Sequence, residues 1–271
     1  MKNKVALSGA GGNVGRLLRV ELPKRGVDLR SAGGTHPLQP LHDGEDVMHG
    51  DLRDPSVVDR LLAGVDVLIH MAGTSVERPL PEIIENNLRA LHEVYEGARR
   101  HKVKRVVFAS SNHVFGMYGV DEKLKLDAPV RPDGFYGLSK VWGEAMARMY
   151  WDKHGIEGVS LRIGTTMGKP PENVRQLSTW MGTDDLLHLV MRSIEATDVG
   201  YAAVWGISNN TRAYCDLSEG NAIGYRPKQD AEDWAAEVLA QPNPLDPVAQ
   251  RFQGGSFATH DYSRTAAQSL G

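Results

Sequence analysis

Short apolar runs recur along the chain at 5–8, 27–31, 47–52, 65–73, 103–109, 159–163 and 201–207. Each meets glycine, proline or charge at its ends, as a strand buried in a sheet does. The run at 65–73 is apolar enough to predict cover on both faces. Between the runs lie segments whose apolar residues return every three to four positions, at 16–22, 81–101, 136–154 and 184–195. The segment at 81–101 carries Ile83, Ile84, Leu88, Leu91 and Val94 or Tyr95 as its stripe and is interrupted by Asn86 and Asn87. Asparagine is a poor helix-interior residue because its amide competes for backbone partners. One of the two could bond a buried group, or both could face solvent. The alternation predicts an α/β fold, a doubly wound parallel sheet with helices on both faces. Beyond 207 the pattern breaks into short helices and loops, with a proline-rich stretch at 241–247.

Composition narrows the class. The 271 residues are 41% hydrophobic and 24% charged, with a formal net charge of −3 and no long run of one sign. That is the balance of a globular protein, with no stripe for nucleic acid and no basic membrane helix. No apolar run reaches the ~18 residues of a membrane span, and the N-terminal run is too short for a signal-peptide core. A cytoplasmic location is expected. Cys215 is the only cysteine, and no Cys/His spacing suits a metal, so neither disulfide nor metal site is expected.

Candidate chemistry concentrates at strand ends. Gly9, Gly12 and Gly15 follow the first strand, and Asn13 and Val14 open the helix after it. Glycines so spaced permit a tight turn and a close approach of backbone to a pyrophosphate, and the helix N-terminus offers free N–H groups. The second strand should end in an acid that reads a ribose 2′-hydroxyl, but Ser31-Ala32-Gly33-Gly34-Thr35-His36 holds none and Asp28 lies too early. Arg30 and His36 could meet a phosphate or simply face solvent. Asp51, followed by Leu52, could contact an adenine or cap the turn before a helix at Pro55. Met71, Ala72 and Gly73 end the fourth strand, where a cofactor crosses an open α/β sheet. Ser110, Ser111, Asn112 and His113 end the fifth, where a hydroxyl can hold a substrate hydroxyl beside a base; His113 taken alone reads rather as a packed, satisfied histidine. Tyr136 and Lys140 stand four apart on a helix, hence on one face. A nearby ammonium, and then a cationic cofactor, favours the phenolate over a phenol that titrates near pH ~10.

The N-terminal glycine turn, Ser111 and Tyr136-x-x-x-Lys140 together resemble the short-chain dehydrogenase/reductase superfamily, in its extended, epimerase/dehydratase-type branch. Within that branch the chain is similar to the uronate dehydrogenase family along nearly its whole length. The resemblance is carried by Gly73-Thr74-Ser75-Val76-Glu77-Arg78-Pro79, Phe108-Ala109-Ser110-Ser111-Asn112-His113, Arg131-Pro132-Asp133-Gly134, Arg162-Ile163-Gly164, Arg175-x-Leu177-Ser178-Thr179-Trp180 and Arg251-Phe252-Gln253-Gly254-Gly255.

The resemblance implies a Rossmann-type fold with a small C-terminal substrate-binding portion. It implies one domain over 1–271, with 1–165 mainly the cofactor core and 166–271 supplying substrate loops. It implies oxidation of C1 of a cyclic hexuronate with NAD, giving an aldaro-lactone. Tyr136 is then the base, Lys140 lowers its pKa and holds the nicotinamide ribose, and Ser111 orients the reacting hydroxyl. Ser75, Asn112 and His113 bind sugar hydroxyls and Arg175 clamps the anionic group. Thr165 stands where the family tends to have serine, Asn87 matches the asparagine of the branch's helix, and Ile163 lies at the cofactor. A homo-oligomer acting on a small sugar acid is expected, with no nucleic-acid or membrane partner. Two departures widen the expectation. The missing acid after the second strand leaves NADP beside NAD, and Lys169 adds a cation near Arg175, which admits a sulfonated sugar. A nucleotide-sugar epimerase or dehydratase on the same scaffold, and a dehydrogenase of a neutral aldose, are the alternative activities.

Overall fold

The computed structural model describes residues 3–34, 37–125, 127–166 and 168–264. Strands β1 (Lys4–Ser8), β2 (Asp28–Gly33), β3 (Asp46–His49), β4 (Val67–His70), β5 (Arg105–Ser111), β6 (Glu157–Ile163) and β7 (Tyr201–Gly206) form one parallel sheet in the order β3-β2-β1-β4-β5-β6-β7. The order reverses between β1 and β4, which opens a crevice at their C-terminal ends. Helices α1 (Asn13–Lys24), α2 (Pro55–Leu62), α3 (Leu80–Ile83), α4 (Ala90–Arg100), α5 (Phe135–His154), α6 (Gln176–Thr179), α7 (Thr183–Glu195) and α8 (Ala235–Leu239) complete the regular structure.

Strand alternation divides the apolar residues between two layers. Val5, Leu7, Ile69, Val107 and Val159 face α1 and α7, where Leu18, Leu22, Leu186 and Leu189 are fully buried. Ala6, Leu68 and Val106 face the other way, onto Leu61 of α2, Leu91 of α4 and Met146 of α5. Each fully buried leucine contributes roughly 2 kcal/mol of transfer free energy. The chain after β7 folds back on the loops at the sheet's C-terminal edge: Gly254 N donates to Gly116 O, and Gln253 Nε2 donates to the carbonyls of Gly119 and Glu122. No helix among the described residues is long and apolar enough to cross a membrane.

Several boundaries differ from the pattern-based expectation, for identifiable reasons. β2 runs on to Gly33, and His36 beyond it lies outside the described residues, as does Thr35. β3 stops at His49 because Gly50, at φ +154°, breaks the extended path. β4 ends at His70, three residues early, and β5 continues through Ser110 and Ser111 before a 3₁₀ turn at Asn112–Phe115. The expected helix over 81–101 is α3 and α4 joined by a π-helical turn, Ile84–Arg89. The wider turn rotates the stripe, so Asn87 points inward while Ile84, expected in the core, is 40% exposed.

Candidate active site

The cofactor side of the crevice is built from backbone. Gly9 sits at φ +72°, and a Cβ there would lie 2.6 Å from the Met71 and Ala72 backbone. A Cβ on Gly15 would stand 2.1 Å from Gly9 O, so the turn closes only with these glycines. Helix α1 starts at Gly12 with no side-chain cap and no acid in its first turn, which leaves its first amides free. Gly12, Asn13, Val14 and Gly15 line a cavity of about 440 Å³ that also takes in Met71, Ala72 and Gly73. Free amides at a positive helix end, facing a cavity, fit the diphosphate of a dinucleotide. A second cavity of about 270 Å³, lined by Gly34, Asp51, Leu52 and Arg53, meets the first at Ala72 and Gly73, where the adenosine end would lie.

Three of the sequence expectations, on Arg30, Asn87 and Lys169, are corrected. Asp51 does cap the turn before α2: its carboxylate accepts from the Arg53 backbone at 2.9 Å and from the Arg53 guanidinium, which holds the Asp51 carboxyl below the usual range. The helix itself is capped by Asp54, which accepts from Ser56 N at 2.8 Å. Arg30 is turned away from any phosphate. It donates to Asp46 at 2.8 Å and to the carbonyls of Arg60, Leu61 and Ala63. Asn87 lines neither cavity. Its Oδ1 accepts from Thr74 N at 2.7 Å and its Nδ2 donates to Thr74 O and, at 2.9 Å, to Ser139 Oγ. It ties the loop after β4 to α5, one step behind the cofactor. Lys169 pairs with Glu172 and is absent from the cavity lining, so it adds no cation beside Arg175.

The tyrosine–lysine pair expected from the sequence sits at the start of α5. Tyr136, Lys140 and Ser111 line the 440 Å³ cavity together. The Lys140 ammonium lies 5.4 Å from the Tyr136 ring centroid and 5.0 Å from that of Phe108. It has neither carboxylate nor hydrogen-bond partner among the described residues, and burial pushes its pKa down to about 8. Burial pushes the Tyr136 phenol up to about 12, opposed by a hydrogen bond with Ser111. In the protein alone, then, desolvation outweighs that hydrogen bond and the phenol stays protonated, which leaves the phenolate to the cationic cofactor that the sequence reading paired with Lys140. Behind Lys140, Ser8 Oγ and His70 Nδ1 are 2.8 Å apart, and burial pushes His70 down to about 3, so no second cation competes with Lys140.

The substrate side is built from side chains. Ser75, Asn112, His113, Thr165, Arg175 and Phe257 face the same cavity. Thr165 Oγ1 lies 3.0 Å from Thr179 Oγ1. In the orientation that satisfies its amide, Asn112 donates to Ile163 O at 3.2 Å and accepts from Arg175 Nη2 at 2.8 Å. Arg175 Nε donates to Gln253 O at 2.6 Å, and no carboxylate among the described residues pairs with this guanidinium. Phe257 stacks on His113 at 3.9 Å and tilts against Tyr136 at 5.7 Å.

The profile of the NAD dependent epimerase/dehydratase family matches residues 5–217. Uronate dehydrogenase of Pseudomonas syringae pv. tomato is 43% identical over 94% of this chain and 93% of its own length. The chain is a uronate dehydrogenase-like member of the NAD-dependent epimerase/dehydratase family. The crystal structure of uronate dehydrogenase from Agrobacterium tumefaciens superimposes with a TM-score of 0.89 at 40% identity, covering 95% of this chain and 97% of that one. A tyrosine-to-alanine mutant of the Agrobacterium enzyme, complexed with NAD, matches at 39% identity with the same TM-score.

Within this family member, three site residues had no role assigned from the sequence. Glu77 accepts from the backbone N–H groups of Phe135 and Tyr136, both at 2.9 Å, and so caps α5, whose own N-cap Gly134 offers no side chain. Asp133 holds His113, and Phe257 covers it. Glu77 and Asp133 both sit in the quoted resemblance stretches. Phe257 had no signal beyond following Gly254-Gly255.

Proposed function

We propose that the protein is an NAD-dependent dehydrogenase that oxidises C1 of a cyclic hexuronate to the aldaro-lactone. The observation that carries the reading is Arg175, a guanidinium with no carboxylate partner among the described residues, in one cavity with Ser111, Tyr136 and Lys140. The relatives named uronate dehydrogenase, at 43% and 40% identity, support it. Arginine suits a planar carboxylate because its fork donates two parallel hydrogen bonds.

Bound NAD supplies the acceptor for the hydride that leaves C1. Gly9, Gly12, Asn13, Val14 and Gly15 would hold its diphosphate, Asp51 and Leu52 its adenosine end, and Met71, Ala72, Gly73, Ile163 and Lys140 its nicotinamide half. Tyr136 takes the proton of the C1 hydroxyl while Ser111 fixes that hydroxyl's direction. Lys140, with no other partner among the described residues, stabilises the phenolate form of Tyr136 that accepts this proton. Arg175 clamps the carboxylate; Asn112, His113, Ser75 and Thr165 read the remaining sugar oxygens. Phe257, stacked against His113, keeps water from the reacting carbon.

The reading extends to a cytoplasmic enzyme, one domain over 1–271, that associates with its own copies. Phe135, Leu138 and Met149 on α5, with Leu80 and Ile84 beside them, are each at least 40% exposed on neighbouring segments. Sedimentation velocity checks the association. For the activity, glucuronate and galacturonate are incubated with NAD or NADP and the products followed by NMR. Lactone appearing in step with NADH is the expected result; tightly retained cofactor with an epimerised sugar and no NADH is the contradicting one.

A further inference from the structure

His113, in the cavity wall, is held from behind by a fully buried carboxylate, Asp133. His113 Nδ1 lies 2.6 Å from Asp133 Oδ2, and the Asp133 side chain has no exposure. The fold makes room for that carboxylate at three places. A Cβ on Gly116 would come within 1.9 Å of Asp133 Oδ2, one on Gly254 within 2.0 Å of it, and one on Gly137 within 2.9 Å of Oδ1. The turn after β5, helix α5 and the C-terminal segment thus all leave out a side chain at one carboxylate.

Hydrogen-bond polarity follows from chemistry. A carboxylate only accepts, so the proton between the two groups belongs to His113 Nδ1. Burial holds the imidazole pKa below its ordinary value, with Arg175 acting in the same direction and Asp133 and Glu77 opposing. The ring is therefore neutral near pH 7, and Nε2 carries a lone pair. No hydrogen bond to Nε2 is formed among the described residues, and His113 lines the 440 Å³ cavity. Arg175 and Lys140, in the same wall, can only donate. The ring itself cannot swing. Phe257 stacks on it at 3.9 Å, and Tyr136 meets it edge-on at 5.7 Å.

We propose that Asp133 is a positioning residue that fixes His113 in the Nδ1–H tautomer, so that Nε2 accepts a hydrogen bond from one ring hydroxyl of the sugar and makes the enzyme require that hydroxyl. This rests on the sugar 1-dehydrogenase reading above and adds to it the direction of one contact and the residue that sets it. In an Asp133→Asn variant the amide donates to Nδ1, the proton moves to Nε2, and the contact becomes donor against donor. A tautomer reversed by one acid-to-amide change leaves geometry nearly intact while function falls.

The test has two independent readouts. Nitrogen-15 NMR of the histidine rings, with His113→Ala for assignment, reads the tautomer without any turnover. The expected result is Nδ1–H in the wild-type protein and Nε2–H in Asp133→Asn. Nε2–H in the wild type overturns the proposal. Steady-state kinetics on a uronate and its 2-, 3- and 4-deoxy analogues reads the hydroxyl. For the full sugar, Asp133→Asn is expected to raise KM by about 30-fold with kcat changed less, the size of a single well-placed hydrogen bond. For one of the three deoxy sugars the same substitution should change KM by less than about 3-fold. Equal losses on the full sugar and on all three analogues overturn the proposal and leave Asp133 a structural carboxylate. Should Asp133→Asn fail to fold, His113→Ala with the same four sugars carries the same cycle, with the same two outcomes. A wild-type protein that oxidises none of the uronates removes the underlying functional reading instead, a result distinguishable from uronate oxidation without coupling.

Discussion

The two halves of the crevice reach the same end by opposite means. The cofactor half, from Gly9 to Gly15 and across to Gly73, works by leaving side chains out: glycines admit close backbone, and α1 leaves its first amides uncapped. The substrate half, from Ser111 to Phe257, works by withdrawing charge from water: Lys140 buried and Arg175 half-buried, neither paired with a carboxylate among the described residues, and Asp133 buried against His113. Bare amides bind a diphosphate of any dinucleotide, so they give affinity. Buried charged groups are costly unless matched, so they give selectivity. Tyr136 stands where the halves meet, and its phenol records the cost, raised to about 12 by burial.

Tyr136→Phe cuts across both halves and carries the largest expected effect. It removes the proton acceptor and leaves the amide cradle untouched. Turnover should fall at least about 10³-fold while NAD affinity by calorimetry changes less than about 3-fold. Near-native turnover breaks the assignment of the base. Gly15→Ala attacks the cofactor half alone. Its Cβ would stand 2.1 Å from Gly9 O, so the turn must open. NAD affinity should drop at least about 100-fold, and unchanged affinity would show that the cradle is not where the diphosphate sits.

Lys140→Met sharpens the comparison through stability. The Lys140 pKa is lowered from 10.5 to about 8 in the fold. Below pH 8 both states hold the proton and the folded protein bears the full penalty. Between about 8 and 10.5 the unfolded state binds more protons, so stability rises with pH. The variant should lose turnover, gain up to about 3 kcal/mol at pH 7 in denaturant unfolding, and lack that rise. A less stable variant at pH 7 contradicts an unpartnered buried ammonium.

Arg175→Ala, in the substrate half, should raise KM for a hexuronate about 30-fold and leave the matching neutral aldose within about 3-fold. Equal losses on both sugars would mean that Arg175 reads no anion. Glu77→Gln is the mildest. It weakens a cap worth about 1 kcal/mol on α5 and should lower kcat less than about tenfold with a small drop in Tm. A Tm unchanged from wild type would take Glu77 out of the capping role.

The same contrast explains what the sequence made legible. The cofactor half is local: strand, glycines and helix follow one another within residues 5–22, and Tyr136 and Lys140 share one turn of helix, a weak signal by itself that the glycine turn and the strand end at Ser111 made legible. The substrate half is assembled from distant segments. Glu77 meets Tyr136 across 59 positions, and Arg175 meets Gln253 across 78. No periodicity encodes such pairs: only resemblance drew attention to Arg175, and His113 stood out by its place at a strand end while its role came from resemblance. The π-helical turn was hidden for the same reason, because the inward Asn87 is held by Ser139, 52 residues on. Misplaced strand ends at Gly33, His49 and His70 arose where glycine and polar residues, rather than apolar ones, close the sheet edge.

The central claim is that a proton-accepting tyrosine and an anion-reading arginine serve one substrate in one cavity. Its most direct measurement is kcat/KM of the wild-type protein for galacturonate and for galactose, read as NADH formation under identical conditions. The account predicts a ratio of at least about 100 in favour of the acid. A ratio near one, or oxidation of the neutral sugar alone, would contradict it.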